Sequence, residues 1–122
     1  MAEILLEFGA DPNQTCKGIS PLHASSVNGV LQICRLLVSY GADVNIFSQH
    51  FGTPIHAAVQ LNHKFISNFL IVAGCDLGSV NAHGETPLHI GCMKNYLDIT
   101  TNIMEYIDVI LKIQSNYLVS FM

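Results

Sequence analysis

The chain has 122 residues, half of them hydrophobic, with 11% charged and a formal net charge of −4 at neutral pH. Five Lys and Arg scattered over that length form no basic patch or stripe, which argues against a nucleic-acid binder. No apolar run reaches the roughly 18 residues of a membrane span, and the four cysteines (Cys16, Cys34, Cys75, Cys92) lack both Cys-x-x-Cys and dense disulfide spacing, so reduced thiols are expected. Glu3 and Glu7 interrupt the apolar start, unlike a secretory leader, and a cytoplasmic or nuclear location is the expectation.

In chain order, Ala2 to Leu6 reads as the outer helix of an incomplete first unit, followed by Gly9-Ala10-Asp11 and a connection up to Ile19. Ser20 is a good N-cap and Pro21 suits the first turn, where its missing N–H would be unsatisfied anyway. Leu22, Ala24 and Val27 follow on a short helix, ended by Asn28-Gly29, where glycine can take the left-handed conformation of a tight turn. A second helix is predicted from about Val30 to Tyr40, with Ile33, Leu36 and Leu37 on one face. Gly41 stops it, and Ala42-Asp43-Val44-Asn45 leads into a hairpin-like connection.

The same order then returns. Thr53 caps, Ala57-Ala58-Val59 form the small helix, Asn62 takes the turn position, and Phe65, Ile66, Phe69 and Leu70 line the next helix. Thr86-Pro87-Leu88-His89 opens a last unit with Asn95 in its turn. The tetrapeptides Ser20-Pro21-Leu22-His23, Thr53-Pro54-Ile55-His56 and Thr86-Pro87-Leu88-His89 are spaced by 33 residues, and Gly-Ala-Asp at 9, 41 and, as Gly-Cys-Asp, at 74 returns after 32 and then 33 residues. A strict period of this length signals a stacked array of one supersecondary unit.

These two motifs resemble those of the ankyrin repeat over roughly residues 2 to 105. The resemblance implies an all-α solenoid of stacked helix-turn-helix units joined by hairpin-like loops. Its units are a back half at 1–19, repeats at 20–52 and 53–85, a degenerate terminal repeat at 86–113 and a tail at 114–122. It also implies that His23, His56 and His89 are structural, bridging the capping hydroxyl and a neighbouring repeat's backbone.

The chemistry-bearing residues do not converge. A zinc site needs about four ligands in a tetrahedron, whereas three histidines placed one per repeat form a line. His50, His63 and His83 have no Cys or carboxylate at ligand spacing. Cys92 lies one turn from His89, but it occupies the slot of Ser26 and Val59 and is expected to pack. Asp11, Asp43 and Asp76 read as turn formers. No phosphate loop and no paired carboxylates appear, so the chain is read as a non-enzyme without cofactor or metal.

The first connection is one residue shorter than the others, and Gly52 stands directly before Thr53 whereas Gly84 lies two before Thr86. The second connection is therefore expected to have its own tip shape. Phe47 and Phe51 flank that tip, and two readings stand: one aromatic folds back against Ile46 and the next repeat, or the pair anchors a partner.

Beyond Asn95 no Gly-Ala-Asp follows. Apolar residues at 99, 103, 106, 107, 110 and 113 trace one helical face, widened by Val109 and Leu111, which predicts an outer helix running past its usual end. Solenoids need polar caps; Ile4, Leu5 and Leu6 at one edge and Ile110, Leu111, Leu118 and Phe121 at the other provide none, so self-association through the ends is expected.

The resemblance implies a protein–protein interaction module, adaptor or regulatory. Its contact positions are Thr15, Cys16 and Lys17, then Phe47, Ser48, Gln49, His50 and Phe51, then Val80, Ala82 and His83, extended by Ser25, Gln60 and Lys94. A second reading is a truncated structural fragment of a larger ankyrin scaffold or channel.

Overall fold

Residues 9–120 are described by the computed structural model, with side chains up to residue 113. The apolar starts and ends read from the sequence at Ile4, Leu5, Leu6, Leu118 and Phe121 lie outside those side chains. Three short helices form an inner layer: α1 (Pro21–Asn28), α3 (Pro54–Gln60) and α5 (Pro87–Met93). Three others form an outer layer: α2 (Leu31–Ser39), α4 (Lys64–Val72) and α6 (Leu97–Ser120). Each inner helix packs on the outer helix that follows it, and each layer stacks along the chain. The all-α ankyrin solenoid is the fold.

Local chemistry starts and stops each inner helix. Ser20 and Thr86 accept the backbone N–H of His23 and His89 at 3.1 and 3.2 Å, and each helix has its proline in the first turn. The turn into the outer layer is left-handed at Gly29 (φ 76°), Asn62 (φ 60°) and Asn95 (φ 58°), as the repeat positions predict.

The outer helices differ in how they end. Gly41 and Gly74 take φ near +90° and let the next N–H reach back, Ala42 to the Leu37 carbonyl and Cys75 to that of Leu70. One repeat later stands Ile107, which cannot adopt that turn without strain. So α6 runs on for 24 residues, about 36 Å of helix. It continues unbroken across residue 113, where the sequence reading divided repeat from tail.

Leu22, Leu37, Ile55, Ile66, Leu70, Ile90, Ile99 and Ile103 are buried between the layers and between successive pairs. Full burial of each such side chain stabilises by roughly 1.5–3 kcal/mol before entropy is counted. The predicted face of α6 is covered only in part. Ile99 and Ile103 are buried and Tyr106 and Ile107 half-buried, but Ile110 and Ile113 are exposed where the helix leaves the stack. Phe65 also departs from the expected lining: it is 68% exposed, with the Lys64 ammonium 5.3 Å from its ring centroid.

Asparagines lace the connections. Asn13 donates to the Gly41 carbonyl and accepts the Asp43 N–H, and Asn45 accepts the Asp76 N–H at 2.7 Å. The next position in the series is Gly78, and opposite it α6 is still helix, with no turn to bind.

Candidate functional site

The three hairpin tips differ, and the sequence spacing explains how. Cys16 and Ile19 pair across a two-residue tip in which both Lys17 (φ 55°) and Gly18 (φ 78°) are left-handed, the twist favoured in tight hairpins. Ser48 and Gly52 exchange both backbone bonds at 2.7 Å around Gln49, His50 and Phe51. In the third tip Asn81 donates to Glu85, and Gly84 folds back onto the Asn81 carbonyl at 3.0 Å. Phe51 occupies the place of Gly84 and cannot make that left-handed closure, so the second tip closes one residue later. Gly52 allows the two tips to abut: a Cβ there would stand 2.8 Å from that of Asn81.

Thr15, Cys16 and Lys17 are exposed, as are Gln49, His50, Ala82 and His83. Phe47 and Val80 are about half exposed, at 48% and 47%. Ser48 is not: it is 2% exposed, and its hydroxyl accepts the N–H of His50 within the tip. Ser25 is buried as well, its hydroxyl donating to the Leu22 carbonyl and lying 3.2 Å from the Cys34 sulfur. Neither side chain is available to a partner. Phe51 does fold back, but onto the preceding inner helix, its ring 6.4 Å from that of His23 and tilted by 28°.

The second and third tips and the ends of α3 and α5 enclose a groove of about 510 Å³, lined by His50, Phe51, Gln60, His83, Met93 and Lys94, with Glu85 on its wall. The first tip, Val80 and Ala82 lie outside this lining. Met93 completes the groove although the sequence reading omits it; it stands one repeat after Gln60, so the spacing that picks out Gln60 points to it too.

The repeated histidines hold the stack together. His23 Nε2 and His56 Nε2 lie 2.8 and 2.9 Å from the carbonyls of Gly52 and Glu85, and each Nδ1 faces its own capping hydroxyl at 2.8 Å. Burial holds both imidazoles below the usual histidine range, against the opposing pull of those carbonyls. His89 keeps its capping contact at 2.7 Å but is exposed. His63 bridges to the Val27 carbonyl at 3.1 Å and fills the space over Gly29.

Cys92 is exposed rather than packed, because Ser26 and Val59 owe their burial to the helix pair that follows each of them. Cys75 is buried, and desolvation, reinforced by the Asp76 carboxylate, pushes its thiol up to about 12. Asp11, Asp43 and Asp76 each accept the N–H two residues on at 2.9 Å, the expected turn role. The groove lining contains histidines but no Ser, Thr or Cys nucleophile. Among the described residues no group of three His, Cys, Asp or Glu could hold a metal, and no helix is long and apolar enough to cross a membrane.

A family model for ankyrin repeats in three copies matches residues 46–113, more than half of the chain, and a single-repeat model matches 17–48. Two curated ankyrin repeat proteins of fowlpox virus (strain NVSL) are similar: one is 35% identical over 60 residues and the other 31% over 61. The matched parts are 49% and 50% of this chain but only 14% and 11% of those relatives. Ankyrin repeats are in general protein–protein interaction modules. The chain belongs to the ankyrin-repeat family.

Proposed function

We propose that the chain binds a partner protein along its inner helices and hairpin tips, as an adaptor or regulatory module. The observation that carries this reading is the groove between the second and third tips. Large exposed or half-exposed side chains (Met93, Phe51, Gln60) converge there on a rigid backbone. Stiff presentation lowers the ordering cost of binding. The stacked helices hold the backbone still while the tips vary in shape and side chain. The test is affinity selection from a cell extract with the intact chain and with Met93→Arg and Gln60→Arg variants of unchanged circular dichroism. Proteins retained by the parent and lost by both variants support the reading; identical retention by all three overturns it.

A second reading, a segment of a larger scaffold without binding activity of its own, is favoured by the last helix pair. His89, Cys92 and Met104 are exposed, whereas the equivalent residues of the pair before, His56, Val59 and Ile71, are buried. Association of the chain in light scattering, suppressed by Met104→Glu, supports it; a monomer at tens of micromolar counts against it.

A further inference from the structure

We propose that the groove takes an extended peptide segment of the partner in which an acidic residue stands beside a large apolar one, an inference that rests on the binding-module reading above. The distribution of charge points to the acid. The chain as a whole carries −4, yet among the described residues a single carboxylate, that of Glu85, lines the groove, and the Asn81 side-chain amide already donates to it at 3.0 Å. Asp11, Asp43 and Asp76 are engaged in their turns, and Asp98 and Asp108 sit on α6, where they pair with Lys64 and Lys112 at 3.7 and 3.1 Å.

Lys94 differs from those two lysines. It closes α5 at the edge of the groove, is exposed, and among the described residues has no carboxylate within ion-pair distance. His50 and His83 add donors from the two tips on the opposite rim. An exposed, unpaired lysine at the edge of a concave surface on a negative chain attracts and orients an acidic side chain, with an effect on binding that salt weakens.

The floor points to the apolar neighbour. Phe51 is held in place by its stacking on His23, and Met93 is 64% exposed, a flexible apolar side chain suited to closing over another. The volume, about 510 Å³, falls in the range of clefts that enclose a few side chains rather than a whole domain surface. A space of that volume holds little more than one turn of a helix roughly 10–12 Å across, so it suits a few residues of an extended chain better than a helix.

The test is display of random peptides on phage against the intact chain, followed by fluorescence anisotropy with the enriched peptides. Sequences with Asp or Glu within two positions of Leu, Ile, Met or Phe are expected. Their affinity should fall about threefold to tenfold in Lys94→Glu and with added salt, and stay unchanged in Arg35→Glu, an exposed cation on the outer helix α2 away from the groove. Enriched peptides without acidic residues, insensitive to Lys94→Glu but lost in Met93→Arg, overturn the acidic segment and leave the binding groove standing. No enrichment, or enrichment indifferent to both Met93→Arg and Lys94→Glu, overturns both.

Discussion

His23 Nε2 lies 2.8 Å from the carbonyl oxygen of Gly52, a bond across 29 residues that ties the first inner helix to the end of the next hairpin. A carbonyl only accepts, so Nε2 carries the proton, and Nδ1 accepts from the Ser20 hydroxyl and backbone. His56 repeats the arrangement with Glu85 and Thr53. Protonating Nδ1 would remove an acceptor from two donors inside the stack.

That arrangement sets the direction of the pH dependence. The folded-state values of both histidines are lowered from 6.5, chiefly by burial. The unfolded chain therefore binds more protons just below that value, and stability present above about pH 6.5 is lost as pH falls toward the folded values. Each proton taken up contributes a slope of at most about 1.4 kcal/mol per pH unit. Urea melts at about pH 7.5 and 5.5 should show the loss, and a variant carrying His23→Gln and His56→Gln, less stable at the higher pH, should show a smaller difference between the two.

Gly91 and Thr100 make a second testable contact. A Cβ at Gly91 would stand 2.7 Å from Thr100 Oγ1, which is itself buried without a hydrogen-bond partner. Gly91→Ala should destabilise by about 1–3 kcal/mol through overpacking. Thr100→Val removes the unpaired hydroxyl at constant shape and should stabilise by about 1 kcal/mol. Adding Thr100→Ser to Gly91→Ala copies the Ala58–Ser67 pair one repeat earlier, where the serine hydroxyl donates to the His63 carbonyl, and should recover most of the loss. Thermal melts of the four proteins check the set.

The two aromatics of the second tip should separate in stability. Phe51 stacks on His23, so Phe51→Ser should cost about 1–2 kcal/mol. Phe47 is half exposed, and Phe47→Ser should stay within about 0.5 kcal/mol of the parent. Equal losses in urea melts would contradict this division.

Thiol labelling should divide the cysteines by position in the stack. Cys16 and Cys92 are exposed, Cys34 and Cys75 buried. Maleimide at neutral pH should modify Cys16 and Cys92 within minutes in the native protein, and Cys34 and Cys75 only after denaturant is added, as read by mass spectrometry. Fast native labelling of Cys75 would contradict a thiol pushed up to about 12.

The sequence by itself determined the elements whose causes are local. A hydroxyl and a proline start each inner helix, a glycine or asparagine turns it, and glycine stops α2 and α4, so the missing glycine at Ile107 foretold the long α6. Tertiary structure decided which copy of each repeated residue is buried. His23, His56 and His89 share one local motif, yet only the first two are covered, because burial at that position comes from the neighbouring pair. The same non-local cause exposes Cys92, and contacts beyond the local motif bury Ser25 and turn Phe51 onto His23 while Phe47 stays in solvent. The groove is decided the same way: its tips and helix ends are remote in sequence, and stacking alone brings His50, His83, Met93 and Lys94 around one space.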